Sequence, residues 1–401
     1  MDPHPQHLAA DCLIHLFTFL PEEDLLRASG VCQDWRGAAD TPWLWRRLCL
    51  QRWTFCDLTS FRSERVDHSW KKYYLRRSHL EMKMTKGRTG GYTCRSLRGH
   101  TGKVVGVTYL QESSAQLPHL WNVSSTVCSA GTDGSVRTWN TQSVGNALGS
   151  LWTLAGAGLT KASSLVVGDS AIDILLVSPD KSLMVVGSGD GGAATVICTQ
   201  SLTSPSEDGD PLRVSTPIRG SGAAAFIPTQ PARLAVIDSE PTQKKTLYVF
   251  DLSIKRSKFK SEIQVQQVES FPVSLEVSPH RMILKASDSN RLVLVVDQEL
   301  LVFSLKGDLL ARFKDHTLRI TSVHVDSFRV VTASEDLSLR VMTWSKDGDR
   351  GTTLESRYHL LGGSHTMSRA VTHVSCDYSS IVAVAEGKSG NDVLKVYSFT
   401  S

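Results

Sequence analysis

Three glycines, Gly187, Gly189 and Gly192, have the G-x-G-x-x-G spacing of a loop that binds the phosphates of a dinucleotide. That chemistry needs a strand before the loop and a helix after it, because the helix N-terminus holds the pyrophosphate. The segment Leu183–Val186 before the loop is typical of a strand, but Ala193–Cys198 after it also predicts a strand. We therefore do not predict a dinucleotide site.

Other residue types that carry catalysis are present without the spacing that catalysis needs. Gly168-Asp169-Ser170 with Asp173 is similar to a hydrolase nucleophile motif, but no strand–turn–helix context surrounds it, so we interpret it as a tight turn. The thirteen histidines form no H-x-x-x-H or H-E-x-x-H pair, and the eight cysteines form no C-x-x-C pair. The sequence thus predicts no metal, no cofactor and no enzyme activity.

The composition excludes several other classes of protein. Hydrophobic residues make up 41% of the 401 residues, which is ordinary for a globular protein. A net charge of +4 is far from that of a dedicated nucleic-acid binder, and no apolar run approaches the roughly 20 residues that span a bilayer. Eight scattered cysteines are too few for a disulfide scaffold, which favours a reducing compartment, cytoplasmic or nuclear. We expect neither nucleic acid nor a membrane as a partner.

The first 50 residues have helical periodicity. Pro21 ends the first predicted helix, and Thr41-Pro42 starts a later one with a hydroxyl cap and a proline in the first turn. The first helix has four large apolar residues at i, i+3, i+4 and i+7 on one face: Leu13, Leu16, Phe17 and Leu20.

The segment His7–Cys49 resembles the F-box along its full length. The landmarks that agree are a leucine-rich first helix, Phe19-Leu20-Pro21, the D-L-L-R run Asp24–Arg27, Val31-Cys32-x-x-Trp35, and Pro42-x-Leu44-Trp45-Arg46-x-Leu48-Cys49. An F-box usually opens with Leu-Pro-x-Glu, whereas Leu8 is followed here by Ala9, Ala10 and Asp11. The resemblance implies docking to the small Skp adaptor, which links F-box proteins to a cullin scaffold. The contacts that we assign to the adaptor are Leu8, Leu13, Phe17, Leu20, Pro21 and Leu25.

A basic connector follows the F-box. Residues 62–88 carry nine Lys or Arg against three Asp or Glu. We interpret the stretch as a linker helix with solvated lysines and an aromatic seam against the next domain, in preference to a nucleic-acid site. The W-K-x-x-Y/F-L pattern also resembles the connector of F-box/WD-repeat proteins. One helical stripe of this stretch contains Trp70, Tyr73, Tyr74 and Arg77.

From Tyr92 onward, short β-rich runs alternate with turn residues and repeat. The clearest unit begins at Leu97-Arg98-Gly99-His100 and resembles a WD repeat, a propeller blade whose strands are called a to d from the centre outward. A second unit around His316 has Met342 in place of the usual tryptophan. In such a repeat a hydrogen-bonded tetrad satisfies buried polar groups and ties the b–c turn to the d–a loop. The matching residues of the first unit are His100, Ser129, Asp133 and Trp139.

The spacing of the repeats leaves the number of blades open. Six blades with insertions are one solution, and seven blades with one degenerate unit are the other, since 310 residues from Tyr92 allow about 44 residues for each of seven. Either propeller needs a sheet shared between the first and last blades, so we predict that Tyr92–Leu97 pairs with Leu394–Phe399. The third-strand landmarks are separated by 57, 54, 53, 39 and 55 residues: Trp139, Val196, Phe250, Phe303, Met342 and Tyr397.

The predicted architecture is mixed: a small all-α F-box (1–50) and linker helices (51–90), then an all-β WD-repeat propeller (91–401) of six or seven blades. The resemblance implies a non-catalytic substrate-recognition subunit of a Skp–cullin–F-box (SCF) ubiquitin ligase, which recruits a protein substrate through the propeller face formed by the d–a and b–c loops. The alternative is a scaffold or interaction protein whose F-box recruits no ligase. Three cations are candidates for binding an acidic or phosphorylated substrate: Lys103, Arg319 and Arg369.

Overall fold

The computed structural model shows a helical N-terminal part followed by antiparallel sheets. Helices occupy the described residues up to 86, and strands dominate from residue 93 onward. Parts of the first rejected motif (Gly189 and Gly192) and all of the second (168–170 and Asp173) lie outside the described residues. The structure describes residues 8–53, 70–110, 126–141, 148–153, 172, 174–187, 193–203, 211–217, 221–229, 231–238, 244–256, 261–274, 282–347, 351–362 and 367–399.

Five helices precede the sheets. Pro42 begins the fourth helix as predicted, but the Thr41 side chain makes no capping hydrogen bond. The first helix ends at Phe17, before Pro21, which immediately precedes the second helix. The fourth helix continues two residues past the predicted boundary at residue 50, and the fifth ends before Gly87, whose φ is +54°. None of the described helices is long and apolar enough to cross a membrane. The bounds are α1 (Ala10–Phe17), α2 (Glu22–Ala28), α3 (Gln33–Ala39), α4 (Pro42–Arg52) and α5 (Trp70–Lys86); a short α6 (Thr199–Thr203) lies among the strands.

The described residues contain six four-stranded antiparallel sheets, the blades of the propeller. The first blade contains β2 (Val104–Tyr109), β3 (Thr126–Gly131), β4 (Ser135–Asn140) and β5 (Leu148–Thr153), and the second contains β6 (Ile174–Val177), β7 (Leu183–Gly187), β8 (Thr195–Cys198) and β9 (Arg213–Ser215). The third contains β10 (Ser221–Ile227), β11 (Ala232–Asp238), β12 (Lys244–Arg256) and β13 (Ser261–Ser274), and the fourth contains β14 (Met282–Ala286), β15 (Arg291–Val296), β16 (Glu299–Ser304) and β17 (Leu309–Phe313). The fifth contains β18 (Ile320–Val325), β19 (Arg329–Ser334), β20 (Ser338–Asp347) and β21 (Gly351–Leu361). The sixth blade contains β22 (Ser368–Cys376), β23 (Ser380–Gly387), β24 (Val393–Ser398) and β1 (Thr93–Leu97).

The sixth blade joins the two ends of the strand-rich part. β1 pairs antiparallel with β24, in a register that runs from Thr93 opposite Ser398 to Leu97 opposite Leu394. The predicted pairing of first and last strands is therefore confirmed. Its physical reason is that the pairing hides the free edge of β24.

The landmark positions of the repeats all fall on third strands. Each of the six landmarks is a buried residue of β4, β8, β12, β16, β20 or β24. Inner strands have continuous apolar runs, such as Leu292–Val296 in β15, because neighbouring blades cover both of their faces. The described strands thus show six blades, the smaller of the two predicted numbers.

Apolar clusters connect neighbouring blades at five junctions: second to third, third to fourth, fourth to fifth, fifth to sixth, and sixth to first. At the junction of the first and second blades, no such cluster occurs within the described ranges. The inner strands there leave Val105, Leu175 and Val177 exposed. Packing between blades is therefore uneven around the propeller.

Candidate docking surfaces

The four N-terminal helices use half of the predicted adaptor contacts to fill their own core. Leu13, Phe17 and Leu25 are almost fully buried, in one cluster with Trp45 and Tyr74. A side chain enclosed in this way contacts no partner unless the helices separate. We therefore correct the assignment of these three residues from adaptor contact to core.

The other three predicted contacts, Leu8, Leu20 and Pro21, lie at or near the surface, Leu20 being half-buried. More prominent is a set that the sequence analysis did not assign to the adaptor. These large apolar side chains are between 51% and 74% exposed: Leu16, Phe19, Val31 and Trp43. Leu16 was predicted on the same helical face as Leu13 and Phe17, but it is exposed at the edge of the stripe that those two residues bury, and Phe19 follows the end of α1. Their large apolar side chains were the signal available in the sequence.

α5 connects the helical part to the propeller through residues at its two ends. Tyr73 and Tyr74 belong to the core of the helical part. Leu80 and Met84, further along α5, belong to the cluster between the fifth and sixth blades. The first half of α5 therefore packs on the core of the helical part, whereas Leu80 and Met84 in its second half pack on the propeller.

Arg77 lies where the two parts meet. Its guanidinium carbon is 4.2 Å from the ring centroid of Trp53 and 4.9 Å from that of Tyr378, which belongs to the sixth blade. Glu81 is buried one turn later and accepts a hydrogen bond from the Trp53 indole N–H at 2.6 Å. Because cation–π contacts and charged hydrogen bonds depend on geometry, these contacts set the orientation of α5 against both parts.

In the first blade, the four predicted tetrad residues are hydrogen-bonded to one another. His100 places Nδ1 3.0 Å from Asp133 Oδ2 and Nε2 2.8 Å from Ser129 Oγ. The Trp139 indole N–H donates to the same Ser129 oxygen at 2.8 Å. Burial alone would raise the pKa of Asp133, but hydrogen bonds led by the Ser135 hydroxyl hold it well below its usual range. The tetrad ties the b–c turn to the loop that enters the blade.

The fifth blade repeats this arrangement without the indole. His316 places Nδ1 2.9 Å from Asp336 Oδ2 and Nε2 2.7 Å from Thr332 Oγ1, while Met342 fills the tryptophan position. Burial lowers the pKa of His316. Burial opposes ionisation of Asp336, yet hydrogen bonds from Ser338 and His316 lower its pKa to about 2. His316 is thus a structural residue, as is His100.

Two of the three predicted substrate-binding cations already have carboxylate partners. Lys103 Nζ lies 2.8 Å from Glu386 Oε1, and Arg319 Nη2 lies 2.8 Å from Glu335 Oε1. Arg369 is exposed and has no ion pair with any described residue. We therefore correct the expectation of a summed positive field, because Glu386 and Glu335, which reach these cations from other segments of the propeller, cancel most of it.

The propeller also has an open groove of about 550 Å³ beside the second and third blades, with Pro179 and Leu252 in its walls. Among the described residues of its lining, the one titratable side chain is Asp180, whose carboxylate accepts hydrogen bonds from the hydroxyls of Ser178 and Ser182 at 2.5 and 2.7 Å. The groove therefore offers no acid–base pair. Among the described side chains, no group of three or more His, Cys, Asp or Glu could hold a metal ion.

Helices with exposed apolar side chains, attached to an array of WD-type blades, define a protein that binds other proteins. Residues 10–51 match the F-box-like family. The chain is 26% identical over 461 residues to F-box/WD repeat-containing protein 12 of Homo sapiens, covering 97% of this chain and 98% of that protein. It is 25% identical over 134 residues to F-box/WD repeat-containing protein 15 of Mus musculus, covering 33% of this chain and 28% of that protein. These similarities support an F-box/WD-repeat protein.

The same similarities support a general SCF-type role in substrate recognition. Members of the family are typically non-catalytic adaptors, which agrees with the kind of surface found here. The F-box implies binding to the Skp adaptor, and the WD repeats suggest protein partners.

Proposed function

We propose that this chain recruits a particular target protein to a Skp–cullin–F-box ubiquitin ligase and performs no chemistry itself. The helical part holds the Skp adaptor and, through it, the cullin, while the d–a and b–c loops of the propeller hold the target. The proposed division is F-box, linker and propeller, with α5 as the linker element. The proposed location is cytoplasmic or nuclear.

One observation carries the proposal: the helical part leaves several large apolar side chains exposed to water. More than half of each side chain is exposed at Leu16 on α1, at Phe19 just after α1, and at Val31 and Trp43 further along the chain. Water-exposed apolar side chains of this size gain free energy when a partner covers them. We propose Leu8, Leu20 and Pro21 as contacts of the same adaptor.

The proposed mechanism is proximity. A target bound to the propeller is held near activated ubiquitin at a high effective concentration, so no acid, base or metal of this chain is required. The α5 contacts support it, because a linker packed on both parts keeps the separation between adaptor and target nearly constant.

The test is adaptor binding by the full chain with the double substitution Leu16→Ser and Phe19→Ser. We expect the dissociation constant for purified Skp adaptor to rise by about tenfold or more, since exposed aromatic and aliphatic anchors dominate such interfaces. The matched control is Leu309→Ser with Leu310→Ser, which changes two similarly exposed leucines on β17. Equal affinity of both double variants would refute the proposed adaptor surface.

A second measurement separates the ligase subunit from the scaffold alternative. Co-purification of a cullin with the wild-type chain, and its loss in the Leu16→Ser, Phe19→Ser variant, is the result expected of a ligase subunit. Adaptor binding without any cullin would favour a scaffold. A bound target protein whose amount rises on proteasome inhibition only when the F-box is intact would also support a ligase subunit.

A further inference from the structure

Three large apolar side chains project from the d–a loop regions at the fifth and sixth blades. Leu318, Leu361 and Met367 are 51%, 68% and 65% exposed. Leu318 lies two residues after His316, and Met367 lies two residues after His365, so these two residues occupy the same place in successive repeats. A single exposed apolar residue is ordinary, but recurrence at one structural position, with a third residue between, marks a patch.

Hydrogen bonds hold the backbone at or next to each of these residues against a b–c turn. The carbonyl of Leu318 accepts a bond from the Ser334 hydroxyl at 3.0 Å, and the N–H of Gly362, next to Leu361, donates to Leu337 O at 2.8 Å. Leu318 and Leu361 therefore flank the same turn of the fifth blade.

Met367 is anchored in the same way in the sixth blade, because its carbonyl accepts a hydrogen bond from Lys388 N–H at 3.0 Å. The turn of the fifth blade is itself fixed by the His316–Asp336 contact at 2.9 Å. The backbone is thus held while the side chains point to water, an arrangement that reduces the entropy lost when a ligand binds.

Two of the three predicted cations are paired with carboxylates, whereas Arg369, two residues after Met367, has no ion pair with a described residue. A single exposed charge of this kind contributes little to binding. Arg319, beside Leu318, pairs with Glu335 at 2.8 Å, and Lys103 pairs with Glu386 at 2.8 Å. A phosphate group that approached either cation would have to displace a carboxylate and would be repelled by it. Charge complementarity therefore favours an uncharged ligand, and the three exposed side chains favour an apolar one.

We propose that the target segment read by this propeller is a short, uncharged hydrophobic stretch of a protein, which docks on Leu318, Leu361 and Met367. The proposal rests on the proposed function, because it assigns the target class to the same propeller face. It replaces the phosphorylated or acidic segment that the three cations predicted.

The test uses the full chain in complex with Skp adaptor and a library of short peptides of four compositions: apolar and uncharged, acidic, phosphorylated, and basic. We expect apolar peptides to be selected, with an affinity that changes little with salt, because screening weakens charge pairs but not apolar contacts. The triple variant Leu318→Ser, Leu361→Ser, Met367→Ser should weaken selected peptides by on the order of tenfold or more.

The matched control triple is Leu309→Ser, Leu310→Ser and Val268→Ser, which alters exposed apolar residues on outer strands. Unchanged binding by this control, with unchanged melting of both triples, supports the patch. Selection of phosphorylated peptides, equal losses in both triples, or no preference for apolar peptides would overturn it. Binding of the Skp adaptor is measured on the same samples. A wild-type chain that does not bind the adaptor would refute the proposed function. A wild-type chain that binds the adaptor but does not select apolar peptides would refute this inference alone.

Discussion

Arg329 offers a sharp test of how the linker is attached to the propeller. This residue begins β19, and only 1% of its side chain is exposed. Its Nε lies 3.2 Å from Asp326 Oδ2, its Nη2 donates to the carbonyl of Asp377, and its Nη1 lies 3.0 Å from the sulfur of Met84 on α5. One guanidinium thus connects the fifth blade, the sixth blade and the linker helix, and we choose Arg329→Ala as the perturbation.

The expected loss in the free energy of unfolding follows from the Asp326 carboxylate, which Arg329→Ala leaves without its guanidinium partner. Removing one partner of a buried ion pair costs about 3–5 kcal/mol, because the remaining charge is poorly solvated. The Asp326 side chain is partly exposed and keeps hydrogen bonds from the backbone N–H groups of Phe328 and residue 329. We therefore expect the lower end of the range, about 3 kcal/mol.

Urea denaturation followed by tryptophan fluorescence measures this loss, and Arg233→Ala is the control. Arg233 forms a two-point pair with Asp251 at 2.6 and 3.1 Å, but both side chains are about a quarter exposed. Its removal should cost about 1 kcal/mol or less. Equal losses for the two variants would contradict the reasoning, as would an unchanged rate of proteolysis at the junction of α5 and the propeller in Arg329→Ala.

Further predictions concern the blades themselves. Ser129→Ala should lower the free energy of unfolding by about 1–3 kcal/mol, measured by denaturation, because the Trp139 and His100 nitrogens lose their buried partner. The lowered pKa of His316 means that stability present above about pH 6.5 is lost as the pH falls through the lower folded-state value. The melting temperature of the wild type should therefore fall more steeply than that of His316→Gln on acidification, and parallel curves would count against this. Deleting 394–401 removes most of β24 and should give insoluble or protease-sensitive protein; a soluble truncation that melts normally would show that the pairing with β1 is dispensable.

The sequence by itself determined the features that depend on local chemistry. Pro21 and Pro42 mark helix boundaries because proline restricts the backbone wherever it occurs. The tetrad of the first blade was predictable because its unit resembles a WD repeat, in which these positions pair buried polar groups with one another. The pairing of β1 with β24 followed from the need to cover a free strand edge.

Only the tertiary structure decided which apolar residues are core and which are surface. Phe17 and Leu16 are neighbours on one helix and equally apolar, yet Phe17 is buried and Leu16 is exposed. Periodicity identifies the stripes of a helix, but the helices packed against it select the stripe that is buried. For the same reason the sequence misassigned Leu13, Phe17 and Leu25 to an adaptor surface.

Long-range charge pairing was equally hidden from the sequence. Lys103 and Arg319 resemble free cations in a linear chain, and Glu386 meets Lys103 only because the first and sixth blades are neighbours. Arg329 and Met84 are 245 residues apart and touch because α5 lies over the junction of two blades. Electrostatic and packing energies depend on distances in space, and for residues so far apart along the chain those distances are set only by the completed fold.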